Sequence, residues 1–143
     1  MKFWDTSAVI PLLVDEPASA TLKSLLREDR EMVVWWTTRV ESISALVRRS
    51  REGLAGAEGE ERTRTVLKDL AHGWLEVQPT VRLRSLAERI LAVHPLKAAD
   101  ALQLAAALRW CEGESEGRGF VCLDGRLREA ARKEGFSLLP RLE

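Results

Sequence analysis

Four carboxylates stand out for the chemistry they could do together: Asp5 in "FWDTSA", Glu41 in "TTRVESISAL", Asp100 in "LKAADALQLA" and Asp124 in "VCLDGRLREA". Each falls where a short apolar run gives way to a helical pattern, or in the first turn of a helix. Asp5 poses the problem most sharply, because a charge directly behind an apolar run is costly to bury unpaired. Either it stands at a strand end, open to water or a cation, or it caps a helix. Converging carboxylates repel one another and partly protonate unless a cation holds them. Hard divalent cations such as Mg²⁺ or Mn²⁺ take oxygen ligands of this kind and keep waters for chemistry.

Taken singly, most of the acids have a plainer explanation, and Asp5 is the exception. Glu41 follows Thr38 by three residues, the spacing of a capping box. Asp124 precedes a helical pattern that closes at Gly135 and could be an N-cap. Asp100 lies about one turn into its helix, where the dipole favours an acid, although Ala98, Ala99, Ala101 and Leu102 suggest apolar surroundings. For Asp5, the neighbouring Thr6 and Ser7 are at least as well placed to cap the helix that follows.

Whether the acids meet depends on the elements that carry them. Short β-type runs, "KFW", "MVVWW" at 32–36, "WLEV" at 74–77, "GFVCL" at 119–123 and "FSLL" at 136–139, alternate with stretches of helical period. Leu83, Leu86, Ala87, Ile90 and Leu91 mark one helix face, Val40, Ile43 and Val47 a second, and Val66, Leu67 and Leu70 a third. "KAADALQLAAALRW" reads as a largely buried helix after Pro95. Strands alternating with helices predict an α/β layer fold with a mainly parallel sheet. In such a sheet all strands end on one edge, so residues scattered in sequence converge there. The glycine-rich "GLAGAEGE" and "EGESEGRG" are expected as surface loops, and no internal repeat is visible.

Bulk composition narrows the function classes. A chain of 143 residues, 45% hydrophobic and 31% charged, suits one soluble domain spanning 1–143. The 22 basic and 22 acidic residues cancel, so no global field draws it to nucleic acid or membrane. The apolar run from Ala8 to Val14 contains Pro11 and is far too short to span a bilayer. No signal peptide is visible, which makes a cytoplasmic location the expectation. Cys111 and Cys122 form no CxxC or disulfide framework and are expected as reduced thiols. His72 and His94 fit no zinc or triad spacing and are expected to be structural or surface residues. No nucleophile elbow or phosphate-cradling glycine loop occurs.

In order and spacing, "MKFWDTSAVIPLLVDEP", "TTRVESISAL", "LKAADALQLAAAL" and "VCLDGRLREAARKEGF" resemble the four acidic motifs of PIN-domain ribonucleases, particularly VapC-type toxins of bacterial type II toxin–antitoxin pairs. "DTSA" and "ADALQLAAA" are the most specific pieces. The resemblance implies a three-layer α/β/α fold with a central parallel sheet of about five strands. It implies metal-dependent hydrolysis of RNA phosphodiesters with Mg²⁺ or Mn²⁺, leaving 5′-phosphate and 3′-hydroxyl ends. It makes Asp5 and Asp100 the principal metal ligands, Asp124 the residue completing the site, and Glu41 a ligand of a second metal or the residue orienting the attacking water. Ser7, with Thr6 behind it, corresponds to the hydroxyl residues that steady the acids. A homodimer and a small antitoxin partner are implied as well.

Three positions depart from the family pattern: Cys122 stands where threonine or serine is common two residues before the last acid, and Gly125 and Arg126 replace an acidic-aromatic ending. A thiol is the weaker donor, so support for Asp124 is the least secured element. Arg39 and Lys97 flank acidic motifs and could contact phosphates, or be solvated helix-end charges. Arg48, Arg49 and Arg51 suit a solvated face or a protein contact, and of Trp35 and Trp36 one is expected in the core and the other at an interface. A dehalogenase-like phosphatase would need a second acid at Ser7. A catalytically inactive PIN-like RNA- or protein-binding module would be expected to lack at least one of the four acids.

Overall fold

The computed structural model describes residues 1–54 and 56–142. The elements run β1 (Lys2–Trp4), α1 (Thr6–Leu13), α2 (Ser19–Glu28), β2 (Met32–Trp35), α3 (Thr38–Arg51), α4 (Ala57–Gly73), β3 (Leu75–Val77), α5 (Val81–Val93), α6 (Ala98–Trp110), β4 (Gly119–Val121), α7 (Gly125–Lys133) and β5 (Ser137–Leu139). The five strands form one parallel sheet in the order β3-β2-β1-β4-β5. The five β-type runs of the sequence are these five strands.

Side chains alternate across the sheet with a period of two, and that alternation builds three layers. Phe3, Val33, Trp35, Phe120 and Cys122 belong to one core with Leu83, Ile90, Leu104 and Leu127 from α5, α6 and α7. Trp4, Met32, Val34 and Val121 belong to the other, with Val9, Leu22, Leu46 and Leu67 from α1 to α4. Phe120 lies 5.3 Å from Phe3 and 5.3 Å from Phe136, ring centroid to centroid. The fold is therefore the expected α/β/α sandwich, and α6 is buried along most of its length because its alanines and leucines are apolar all round.

Several local expectations need correction. Of Val40, Ile43 and Val47, expected as one packed face of α3, Ile43 is partly buried against the core but Val40 is 62% exposed, and Thr38, Ser42 and Leu46 turn inward. Part of "GLAGAEGE" is helical, since α4 begins at Ala57 with Glu58 and Glu60 in its first turn, where the dipole favours acids. Ala55 of that stretch lies outside the described residues. Ala98 and Ala99 are exposed, so the surroundings of Asp100 are not wholly apolar. Helix α2 carries Leu22, Leu25 and Leu26 at i, i+3, i+4 spacing; it buries Leu22 and partly buries the other two against α1.

Val66 and Leu91, expected on packed helix faces, are also exposed, at 41% and 42%. Both cysteines are free and buried. His94 is buried at the end of α5, its Nε2 2.6 Å from Glu134 Oε2, and His72 is exposed. Trp35 is core while Trp36 is 50% exposed. Arg49 reaches Glu16 at 3.6 Å, and Arg48 and Arg51 are exposed.

Candidate active site

The chain leaves β1 towards β2 and β3, then returns to the other side of β1 for β4 and β5. Strand order thus reverses between β1 and β4, and in an open parallel sheet that reversal opens a crevice beyond the strand ends. Asp5 stands directly after β1 and Asp124 three residues after β4. The Asp5 N–H donates to Val121 O at 2.9 Å and ties the two strand ends together.

Asp5 is both a strand-end acid and a helix cap. With φ −73° and ψ 154° it is the N-cap of α1, a role neither Thr6 nor Ser7 takes. Its Oδ2 accepts from the Ser7 N–H at 3.1 Å, Ser7 Oγ at 2.6 Å and Cys122 Sγ at 3.6 Å, none of which reaches Oδ1. The residue is only 4% exposed. Burial pushes its carboxyl up to about 6; repulsion from Asp100 adds to that, and the Ser7 and Cys122 bonds oppose it.

Ser7 does more than support Asp5. Its hydroxyl also accepts from the Leu123 N–H at 2.9 Å, which clamps the start of α1 to the segment leading to Asp124. Thr6 faces Glu41 instead, donating to Oε1 at 3.0 Å. The capping-box reading of Thr38 and Glu41 fails. Glu41 Oε2 accepts from Thr37 Oγ1 at 2.6 Å, and the Thr38 hydroxyl is taken by Gln103 Nε2 at 3.1 Å. The reason is that α3 already starts at Thr38 and its N-cap is Thr37, one residue earlier than a capping box on Thr38 requires.

Asp100, partly buried in the first turn of α6, links the cluster. Burial raises its carboxyl, repulsion from Asp124 and then Glu41 raises it further, and Lys97 opposes. Asp124 is exposed, and its Oδ1 accepts from the Leu127 N–H at 2.9 Å, so it is an N-cap as well as a member of the group. Cys122 is fully buried, and burial pushes its thiol up, so it stays a neutral donor beside Asp5 and Ser7. Arg39 is exposed on the first turn of α3, and Lys97 is exposed at the N-cap of α6.

The donor set suits a hard divalent cation: four carboxylates from four strand-end or helix-start positions, two of them raised by burial and mutual repulsion. As the side chains stand, no three His, Cys, Asp or Glu groups among the described residues converge closely enough to ligate one ion. In this arrangement Asp5 Oδ2, Asp124 Oδ1 and both Glu41 oxygens accept hydrogen bonds from protein donors.

Two neighbours of the acids carry little signal in the sequence. Gln103, fully buried, has its Nε2, with two N–H groups, within hydrogen-bond distance of Thr6, Thr38 and Glu41. A lone amide between Ala101 and Leu108 is its only mark. Arg128 donates from Nη1 to Cys122 O at 2.7 Å and from Nη2 to Pro140 O at 3.0 Å, bracing the backbone that leads to Asp124. Nothing in its helical surroundings distinguishes it from its exposed neighbours.

Comparison with known proteins agrees with this architecture. No curated protein matches the chain. Among solved structures, FitAcB from Neisseria gonorrhoeae shares the fold at a TM-score of 0.62, with 18% identity over 96% of each chain. The family model for the PIN domain matches residues 2–133. PIN domains are generally nucleases and typically use divalent metal ions. With the match running over nearly the full length and the sheet and helices in place, the chain belongs to the PIN-domain family.

Proposed function

We propose that this chain is a metal-dependent ribonuclease that hydrolyses RNA phosphodiester bonds with Mg²⁺ or Mn²⁺, and that it is the toxin of a toxin–antitoxin pair. The observation that carries the first part is the crowding of like charge: Asp5 feels Asp100, and Asp100 in turn feels Asp124 and Glu41, with Lys97 opposing. Asp5 and Asp100 would be the principal ligands, Asp124 would complete the site, and Glu41 would hold a second ion or orient the attacking water. A bound divalent ion stabilises charge on the phosphate oxygens and lowers the pKa of its own water.

The chain's own residues supply placement. Ser7 pins Asp5 and the segment before Asp124. Thr37 and Thr6 hold Glu41. Arg39 and Lys97, exposed on the helices that carry Glu41 and Asp100, would meet backbone phosphates. An antitoxin and a homodimer follow from the resemblance to VapC-type toxins. Among the described residues no helix is long and apolar enough to cross a membrane.

The test is cleavage of total RNA by purified chain freed of any antitoxin. Cutting is expected with added Mg²⁺ or Mn²⁺ and should stop with EDTA. Asp5→Asn and Asp100→Asn should each abolish it while the protein stays folded. If both variants cut as fast as the parent, the activity belongs elsewhere.

A further inference from the structure

We propose that Gln103 is the positioning residue that fixes the Glu41 carboxylate in the acidic crevice. Gln103 lies three residues beyond Asp100 on α6, a spacing that sets the two on neighbouring positions of one helix face. Its Nε2 is 3.0 Å from Thr6 Oγ1, 3.1 Å from Thr38 Oγ1 and 3.2 Å from Glu41 Oε1. The side chain is fully buried in an otherwise alanine and leucine stretch, where a leucine would pack without any polar penalty.

The orientation of the amide is set by chemistry. Turned over, its carbonyl oxygen would face a carboxylate oxygen, acceptor against acceptor. Held this way round, Gln103 Oε1 is buried with no hydrogen-bond partner among the described residues. An unpartnered buried carbonyl is costly, so the arrangement sacrifices one polar group to aim its N–H bonds at the site. Glu41 is then held by three neutral donors from three parts of the chain: Thr6, Thr37 and Gln103. An arginine or lysine in place of Gln103 would hold the carboxylate as firmly, but would cancel the negative charge a cation needs. A neutral amide fixes geometry and leaves the charge intact.

This role rests on the nuclease reading above, and the test separates the two. Gln103→Met, close in volume and without a donor, is compared with Glu41→Gln and with the double variant on a labelled RNA transcript that the parent cleaves. Gln103→Met should lower kcat by about tenfold or more with KM little changed, and the double variant should be no slower than Glu41→Gln alone. A Gln103→Met protein that cleaves at the parent's rate, or a double variant slowed by the product of the two single effects, would overturn the proposal. A parent that cleaves no RNA with Mn²⁺ would overturn the nuclease reading and this role together.

A second measurement needs neither metal, RNA nor a Gln103 variant. In ¹⁵N spectra of the metal-free protein, the side-chain amide signals of Gln103 should move on Glu41→Gln and stay in place on Asp29→Asn. Signals indifferent to Glu41→Gln would also overturn the proposal.

Discussion

Replacing Asp5 by asparagine should stabilise the cation-free protein at neutral pH, and by an amount that depends on pH. A carboxyl whose folded-state pKa lies above its unfolded value binds more protons when folded. Its contribution to stability is therefore greatest below the unfolded value and is lost as pH rises through the folded one. For Asp5 those values are 3.8 and about 6. At about 1.4 kcal/mol per tenfold change in the equilibrium, the ionised carboxyl costs roughly 3 kcal/mol once pH is well above 6. About half of that, ~1.4 kcal/mol, develops between about pH 5 and pH 7.5. The asparagine side chain keeps an oxygen for Ser7 but brings an amide group that must find a partner, so the absolute gain will be smaller than the full figure. The pH-dependent part is free of that correction. Urea denaturation of parent and variant in EDTA, at the two pH values, measures it. The advantage of Asp5→Asn should grow with pH, and saturating Mn²⁺ should stabilise only the parent. An advantage that shrinks or stays flat as pH rises would refute the burial of an ionised carboxylate at this strand end.

Other expectations follow from packing and charge. Phe120→Ala empties the space between Phe3 and Phe136 and should cost about 3–5 kcal/mol in urea denaturation. Arg128→Met removes charged donors from the carbonyls of Cys122, Leu139 and Pro140. It should cost about 1.5–3 kcal/mol by the same assay and lower RNA cleavage through the loosened segment before Asp124. Arg39→Gln and Lys97→Gln should each weaken RNA binding regardless of sequence and reduce the slope of log affinity against log salt by about 1, measured by fluorescence anisotropy.

The sheet is readable in the sequence because the strands are short, largely apolar runs, and because alternation with helices leaves a parallel sheet as the natural packing. The face of α3 is not, since its inward positions carry Thr38 and Ser42, polar residues that periodicity assigns to solvent. Thr38 is inside because Gln103 meets its hydroxyl from α6, a contact that no local pattern reveals. Glu41 reads as a cap for a related reason: two of its partners, Thr6 and Gln103, are 35 and 62 residues away. The start of α4 is hidden by glycines, which read as loop although Gly59 is helical. Of the acids, Asp5 and Asp100 are legible as a pair through their motifs and Asp124 as either a cap or a site member, while the repulsion of Asp124 on Asp100 shows only in the packed structure.

The most direct test of the crevice as a divalent-ion site is an anomalous difference map from crystals of this protein soaked in Mn²⁺. Density is expected between the carboxyl groups of Asp5 and Asp100, and it should vanish in the Asp100→Asn variant. A saturating soak that leaves that position empty in the parent, or density that persists when Asp100 is replaced, would contradict the assignment.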